Sequence, residues 1–132
     1  MKTILMAAVA IVSIGAGAAH AADPVHGMWQ TVKDDNGNYG HIKVTDCGNS
    51  ICGTLANSFD SSGNSITTAN AGRKIIWNMK ADGGGSYSGG KVYAPDRDKT
   101  YSSKMTLKGN SLNIKGCVLG ICRDGGTWKR VN

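Results

Sequence analysis

Apolar and polar residues alternate in short runs along most of the chain after residue 22, and turn residues separate the runs. The clearest run is Thr100–Lys108, in which Tyr101, Met105 and Leu107 share one face and Lys104 lies on the other. A period of two residues is that of a half-buried β-strand. The nine acidic residues are all Asp and there are 19 glycines, so good helix formers are scarce. These features predict an all-β domain rich in turns.

The alternating runs predict eight strands. They are Gly27–Val32, His41–Thr45, Ile51–Ala56, Lys74–Met79, Tyr87–Tyr93, Thr100–Lys108, Ser111–Cys117 and Cys122–Val131. The segment Phe59–Arg73 is dominated by Ser, Asn, Gly and Thr, which indicates a long irregular connection. Eight antiparallel strands joined mostly by short turns favour a small up-and-down barrel, because closure leaves no exposed strand edge.

The first 21 residues have the pattern of a secretory signal peptide. Lys2 supplies a positive charge, residues 4–14 are apolar, and Ala19-His20-Ala21 is a small-residue cleavage pattern. The apolar run is short for a membrane span, and no later stretch is apolar enough to be one. We therefore expect cleavage after Ala21, a single domain over residues 22–132, and a periplasmic or secreted protein without a membrane span.

The four cysteines form two pairs, each with four residues between its members. The pairs are Cys47 with Cys52, and Cys117 with Cys122. Export to an oxidising compartment favours disulfides over a zinc site, and four cysteines allow three connectivities. Strand alternation places Ile51 and Ile121 inward and the cysteines outward, so that each pair flanks a short hairpin loop on one face. We predict disulfides 47–52 and 117–122.

Catalytic groups are hard to assemble from these residues. After the signal peptide the chain has two histidines, His26 and His41, and both are expected at the surface. The Asp residues lie in turn sequences, and no Ser occurs in a G-x-S-x-G pattern. No cluster has the ligand spacing of a metal site, and no phosphate-binding loop precedes a helix. The sequence therefore favours a protein without enzymatic activity, metal or cofactor.

Two predicted strands carry inward-facing residues that are candidates for binding a ligand. They are Trp77, Met79, Tyr101, Ser103 and Met105. An apolar pocket with a few polar groups is the usual form of a small-molecule site, and Tyr101 and Ser103 supply such groups here. This points to a small apolar or amphipathic ligand. The alternative is that the same side chains only fill the interior, as they do in many eight-stranded barrels.

The net charge of +6 favours acidic partners over basic ones. We expect an outward basic stripe formed by Lys99, Lys104, Lys108 and Lys115. Such a stripe attracts anionic envelope components, such as lipopolysaccharide phosphates, anionic lipids or acidic glycans. Nucleic acid is not expected as a partner, because no basic groove with interleaved aromatic residues is evident. The alternative is a solvated surface that discourages strand pairing between molecules.

A series of short segments occurs in a characteristic order. They are Asp23–Trp29, Cys47-Gly48, Ile51-Cys52-Gly53, Gly89–Pro95, Lys99–Ser102, Gly116-Cys117, Ile121–Arg123 and Thr127–Val131. The ordered set resembles the exported bacterial proteins grouped as DUF2147, over nearly the whole chain after the signal peptide. Ala94 departs from the family pattern, which has an acidic residue before Pro95. The resemblance implies a lipocalin-like barrel but no established biochemical activity.

The Gly27-x-Trp29 motif is also similar to the first-strand motif of lipocalins. In lipocalins that Trp packs at the closed end of the barrel beneath a basic residue from the end of the chain. Trp128 and Arg130 lie two residues apart on the last predicted strand and share a face. Arg130 is therefore the first candidate to stack on Trp29, and Arg123 is the second.

Two functions remain open at this point. The first is a lipocalin-like barrel that binds a small apolar or amphipathic ligand. The second is an envelope interaction or inhibitor protein, which uses its loops, residues 59–73 among them, and its basic surface to bind an acidic partner.

Overall fold

The computed structural model describes residues 23–132, and the predicted signal peptide lies outside them. Nine strands are present in this range. They are β1 (Gly27–Gln30), β2 (Tyr39–Cys47), β3 (Ser50–Phe59), β4 (Ser65–Ile66), β5 (Lys74–Gly83), β6 (Ser86–Ala94), β7 (Lys99–Lys108), β8 (Ser111–Val118) and β9 (Ile121–Arg130). Over residues 23–132, no helix is long and apolar enough to cross a membrane.

Eight of the strands close into an antiparallel barrel, which confirms the predicted fold. β2 pairs with both β1 and β3, and β1 pairs with β9, so the sheet returns on itself. β4 is a two-residue strand that pairs with the end of β3, within the connection that was predicted to be irregular. β5 extends to Gly83, beyond its predicted end, because Gly84 and Gly85 supply the positive φ angles of the turn.

The antiparallel order places the connections alternately at the two ends of the barrel. We call one end the mouth, which is formed by residues 31–38, 60–73, 95–98 and 119–120. We call the other end the base, which is formed by residues 23–26, 48–49, 84–85 and 109–110. A disulfide stabilises a hairpin at each end, Cys47–Cys52 at the base and Cys117–Cys122 at the mouth. The predicted pairing of the cysteines is therefore present.

The predicted orientation of two cysteines and one isoleucine was wrong. Cys52 and Cys117 are buried rather than exposed. Residues of β5, Trp77 among them, lie around the base disulfide on the outer wall. Ile121 is 69% exposed, although alternation placed it inward. It pairs with Val118 beyond the Cys117–Cys122 pair, where β8 no longer pairs with β7 and the side chain borders the opening of the barrel.

Apolar side chains fill the base half of the barrel. Trp29, Val44, Met79 and Leu112 are almost completely buried there, and Val25 from the segment before β1 is buried with them. Burial of each such side chain stabilises the fold by about 1.5–3 kcal/mol. Because this half is packed, space for a ligand is confined to the mouth half.

Two irregularities in β5 determine which of its side chains face the interior. Between the pairs Thr54–Lys74 and Gly53–Ile76, β5 has one more residue than β3, and both Ile75 and Ile76 are buried. The extra residue is a β-bulge, which breaks the period of two. A second shift follows at Asn78, whose φ of 56° is in the left-handed region.

Candidate functional site

A cavity of about 820 Å³ occupies the mouth half of the barrel. Apolar side chains from six strands form its floor. They are Ile42, Leu55, Ile75, Val92, Ile114 and Trp128. The connections at the mouth surround its opening. Pockets of roughly 300–1,000 Å³ that combine apolar walls with a few polar groups are typical small-molecule sites.

Tyr101 brings a polar group to the upper wall of the cavity. Its ring lies across Gly116 of β8, where an added Cβ would be 3.3 Å from the nearest ring carbon. Glycine at this position therefore leaves space for the ring on the inner wall. The interaction of the Arg97 side chain with the Tyr101 hydroxyl, supported by nearby Asp96, raises the pKa of Arg97. The hydroxyl of Tyr101 is thus linked to a permanent positive charge at the opening.

Three basic and three acidic side chains border the opening of the cavity. They are Lys33, Arg97, Arg123, Asp34, Asp96 and Asp124. Two of the carboxylates are occupied by local hydrogen bonds. Asp34 accepts from the backbone N–H groups of Asn36 and Asn38. Asp124 accepts from the backbone N–H of Gly126 and from the Asn113 amide, and these bonds lower the pKa of Asp124.

The basic side chains at the opening are not paired in this way. Within residues 23–132, the only contact of 4 Å or less between a basic nitrogen and a carboxylate oxygen joins His26 to Asp46, at the base. Lys33, Arg97 and Arg123 therefore have no carboxylate partner in the described part of the chain. These cations are available to an anionic group at the opening of the cavity, where Asp96 is the one bordering carboxylate without a local hydrogen bond among the described residues.

The base is closed by contacts between the beginning and the end of the barrel. The guanidinium carbon of Arg130 lies 4.3 Å from the centroid of the Trp29 ring. Arg130 also donates hydrogen bonds to the carbonyl oxygens of His26, at 2.8 Å, and Pro24, at 2.6 Å. The expected stacking of Arg130 on Trp29 is present, whereas Arg123, the second candidate, lies at the mouth.

The segment before β1 is fixed by two further hydrogen bonds. Trp29 Nε1 donates to the carbonyl oxygen of Val25 at 2.9 Å. The hydroxyl of Tyr87 donates to the carboxylate of Asp23. Burial of the phenol, together with this bond, raises the pKa of Tyr87 well above its ordinary value. The segment therefore acts as a plug that seals the base and leaves the mouth as the one open end.

Comparison with known proteins identifies the family to which this barrel belongs. Residues 27–130 match the family model described as an uncharacterized protein conserved in bacteria, DUF2147. The chain belongs to the DUF2147 family. A search of curated protein sequences finds no match. Among solved structures, the DUF2147 protein is similar to protein HP1028 from Helicobacter pylori, which is described as a member of the lipocalin family. The TM-score is 0.62 at 19% identity, over 82% of this chain and 83% of that one, and it shows a lipocalin fold.

The five residues predicted to bind a ligand do not form one site in the DUF2147 barrel. Tyr101 lines the cavity. Met79 and Met105 are buried outside it, among the side chains of the core. Ser103 is also buried, and its hydroxyl donates a hydrogen bond to the carbonyl oxygen of Lys115 at 2.8 Å. This hydroxyl hydrogen is therefore not available to a ligand.

The inward orientation predicted for Trp77 was wrong. Trp77 pairs with exposed Lys91 and borders a shallow depression on the outer wall, between Lys74 and Asn78. Strict alternation from Ile75 had placed the indole inside the barrel. The bulge at the start of β5 shifts the alternation of inward and outward side chains by one residue. Ile75 and Ile76 both take interior positions, and the next residue then faces outward.

The sequence analysis missed most of the cavity floor. Ile42, Leu55 and Ile114 were not assigned to a site. The useful signal was position along the strand, since inward residues near the mouth line the cavity and those near the base fill the core. That signal requires the strand order as well as the alternation. Ile75 was not assigned either, although it lies two residues before Trp77, which was predicted to face inward.

Each of the two histidines contacts one polar side chain within the described residues. His26 Nε2 lies 2.9 Å from the Asp46 carboxylate at the base. The His41 ring packs against Phe59, with 4.6 Å between ring centroids, and its Nε2 lies 3.2 Å from Gln30 Oε1. Burial lowers the pKa of His41. Over residues 23–132, no three His, Cys, Asp or Glu side chains lie together in a way that could hold a metal ion.

The lysines of the predicted basic stripe are distributed along β7 and β8. Lys104 and Lys115 are direct cross-strand partners, an arrangement of like charges that is unfavourable by itself. Lys115 is also paired with Asp124 in β9, which offsets part of the repulsion. Lys99 and Lys108 lie at opposite ends of β7. The stripe therefore covers the length of the wall and is not concentrated in one pocket.

Proposed function

We propose that this DUF2147 protein binds an amphipathic molecule in the bacterial periplasm and has no enzymatic activity. The observation that carries the proposal is the cavity, which combines an apolar floor with basic side chains at its opening that have no carboxylate partner among the described residues. The apolar part of the ligand would lie on Ile42, Ile114 and Trp128. Its polar or anionic head would lie near Arg97 and Arg123.

The two parts of the cavity would contribute differently to binding. Apolar contact with the floor contributes about 25 cal/mol for each Å² of apolar surface removed from water. An ion pair at the solvated opening contributes only about 0–1 kcal/mol. Affinity would therefore come mainly from the apolar tail, and the basic side chains would orient the ligand and select its head group.

A cavity-filling substitution tests the proposal directly. Val92→Phe adds a ring to a residue that lines the cavity, and Val131→Phe makes the same change at an exposed position outside it. We expect Val92→Phe to weaken binding of a dansyl-labelled fatty acid by tenfold or more, measured by fluorescence titration. The Val131→Phe control should bind like the wild type. Equal binding by both variants, with unchanged unfolding curves, would contradict the proposal.

The role of the head-group region is tested with matched charge changes. The double variant Arg97→Gln, Arg123→Gln removes two cations at the opening, and Lys104→Gln, Lys108→Gln removes two from the outer wall. We expect the first to weaken binding of the dansyl fatty acid several-fold and to leave binding of its uncharged methyl ester unchanged. The second should affect neither probe. A similar loss for both probes would show that the opening does not recognise charge.

The location is tested on the protein from its own host. Two disulfides are typical of an oxidising compartment, and residues 1–21 have the pattern of an export signal. We expect periplasmic fractionation and an intact mass that corresponds to cleavage after Ala21 with both disulfides formed. Native mass spectrometry of the same sample should show an added mass that leaves on unfolding. An uncleaved chain in the cytoplasm would contradict the location.

The outer wall supports a second candidate function, capture of an acidic envelope component. The cross-strand pair Lys104–Lys115 concentrates like charges at some cost in stability, and an anionic partner would relieve the repulsion. We expect Lys104→Glu with Lys108→Glu to abolish capture of lipopolysaccharide on beads. Binding of the dansyl fatty acid should persist, which separates the two functions. Unchanged capture would remove this candidate.

A further inference from the structure

One side of the mouth carries four exposed aliphatic side chains. Val32 is 46% exposed, Val118 56%, Leu119 96% and Ile121 69%, and all four also border the opening of the cavity. Val118 and Ile121 face each other across the tip of the β8–β9 hairpin. Single exposed aliphatic residues are common on proteins, but a contiguous group usually marks a contact surface. We call these four residues the apolar lip.

Leu119 is the most unusual member of the apolar lip. Its φ of 53° lies in the left-handed region, where the two-residue turn of a hairpin normally has Asn, Asp or Gly. A bulky side chain is strained in this conformation, and an apolar side chain exposed to this degree is also unfavourably hydrated. No contact within residues 23–132 compensates for either cost, because nearly all of the side chain is exposed. The residue is therefore better suited to an environment outside the chain.

The hairpin holds the apolar lip in a fixed position. The Cys117–Cys122 disulfide joins the two strands immediately below the tip, and Val118 and Ile121 form the last pair of the ladder. The tip extends only one residue pair beyond the disulfide, so the positions of its side chains are fixed by the ladder. A rigid apolar tip loses little conformational entropy when it is covered.

We propose that the apolar lip inserts into the surface of a lipid bilayer and holds the mouth of the barrel against it. Four aliphatic side chains expose at most a few hundred Å², well below the ~800 Å² that each partner contributes to a standard protein interface. A bilayer requires no complementary shape, and the strength of interfacial binding increases with the apolar area that is buried in it. The added consequence, that an amphipathic ligand passes directly between the bilayer and the cavity, rests on the proposed function.

The charges around the opening of the cavity indicate which lipid composition should be sufficient for binding to a bilayer. The lysine and two arginines that border the cavity are matched in number by three aspartates, so these groups together have no net positive charge to attract an anionic surface. Insertion should therefore be driven by the apolar side chains. Binding to vesicles of neutral phosphatidylcholine is expected, and it should change little with salt concentration, since screening weakens only the electrostatic part.

The test compares three variants with the wild-type protein, purified with both disulfides intact. Leu119→Asn introduces a residue that tolerates the left-handed conformation, so the fold should be at least as stable while the apolar lip loses its most exposed member. Ile121→Thr keeps a β-branched residue in the strand. Val131→Thr is the control, because Val131 is 45% exposed but lies at the base end. We expect flotation with phosphatidylcholine vesicles to fall about tenfold for each of the first two variants and to be unchanged for the control.

Three results would overturn the proposal. The first is a wild-type protein that does not float with the vesicles, and the second is a Leu119→Asn variant that floats as well as the wild type. The third is a wild-type dimer in sedimentation that becomes monomeric in Leu119→Asn, because a second copy would then cover the apolar lip. Dansyl fatty acid titration of the same samples separates the two proposals. Retained binding without flotation would overturn only the bilayer contact, and flotation without ligand binding would overturn only the proposed function.

Discussion

The guanidinium of Arg130 covers the indole of Trp29 at the base of the barrel, with 4.3 Å between the guanidinium carbon and the ring centroid. The same guanidinium donates to the carbonyl oxygens of Pro24 and His26 and, through Nε, to Asn110 Oδ1. One side chain therefore connects β9, the plug before β1 and the β7–β8 turn. These simultaneous contacts require the planar guanidinium of arginine, because a lysine side chain has only one nitrogen that can donate hydrogen bonds.

Loss of the Arg130 guanidinium should destabilise the barrel as a whole. Arg130→Met keeps an unbranched stem but removes three hydrogen bonds and the cation–π contact. We expect a decrease of about 2–4 kcal/mol in the free energy of unfolding, measured by urea titration. Arg123→Met, at the mouth, is the matched control and should change stability by less than about 0.5 kcal/mol. Similar losses for the two variants would show that the base contact is not important for stability.

Two glycines of the barrel wall should differ in their tolerance of a methyl group. A Cβ at Gly90 would lie 2.6 Å from the carbonyl oxygen of Trp77 and 2.9 Å from the Met79 backbone, and backbone atoms cannot move aside easily. A Cβ at Gly116 would lie 3.3 Å from the Tyr101 ring, which can shift. We expect Gly90→Ala to cost about 1–3 kcal/mol and Gly116→Ala less than about 1 kcal/mol in urea unfolding. The reverse order would contradict this account.

The buried Tyr87 should make the stability of the protein decrease at alkaline pH. Burial of the phenol and its bond to Asp23 raise the pKa of Tyr87 in the folded state above its ordinary value of 10.0. The stabilisation that comes from a raised folded-state pKa is present in full at pH values below the unfolded-state pKa. It is lost as the pH rises from the unfolded-state pKa through the folded-state pKa. Urea unfolding between pH 8 and pH 11, roughly, should show a smaller decrease for Tyr87→Phe than for the wild type. A control with Tyr39→Phe should retain the wild-type decrease, and an unchanged slope in Tyr87→Phe would exclude this residue as the cause.

The two disulfides should differ in their rate of reduction. Cys52 of the base disulfide is almost completely buried, whereas Cys122 of the mouth disulfide is exposed. A reductant must reach a sulfur atom to attack it, so we expect Cys117–Cys122 to be reduced first under native conditions. Alkylation followed by peptide mass spectrometry measures the order. Earlier alkylation of Cys47 and Cys52 would contradict the burial argument.

Regular alternation made most of the barrel predictable from the sequence. Strands such as β7 keep a strict period of two from Tyr101 to Leu107, and glycines or a Pro-Asp pair mark their ends. The pairing of each cysteine with its near neighbour follows from the same local geometry. The contact of Arg130 with Trp29 was predicted from the resemblance of Gly27-x-Trp29 to the first-strand motif of lipocalins, together with the alternation that places Arg130 on the same face as Trp128.

The candidate site was much less predictable, and β5 shows why. The bulge that buries both Ile75 and Ile76 depends on the register with β3, which is a tertiary property and leaves no periodic signal. It moved Trp77 from the predicted interior to the outer wall. Whether the interior is filled or hollow also depends on how far each side chain lies from the base. Met105 and Tyr101 share one face of one strand, yet one is in the packed core and the other lines the cavity.

The hydrogen bond from Arg130 to the carbonyl of His26 joins residues 104 positions apart in the chain. Every other neighbouring pair of barrel strands is connected through a hairpin or a single longer connection, so those pairs can form while the chain is still incomplete. The β1–β9 seam cannot, because all the other strands of the barrel lie between β1 and β9 in the chain. Closure of the barrel is therefore a late step in folding. A chain that has not completed this step would expose the unpaired edges of β1 and β9 to neighbouring molecules.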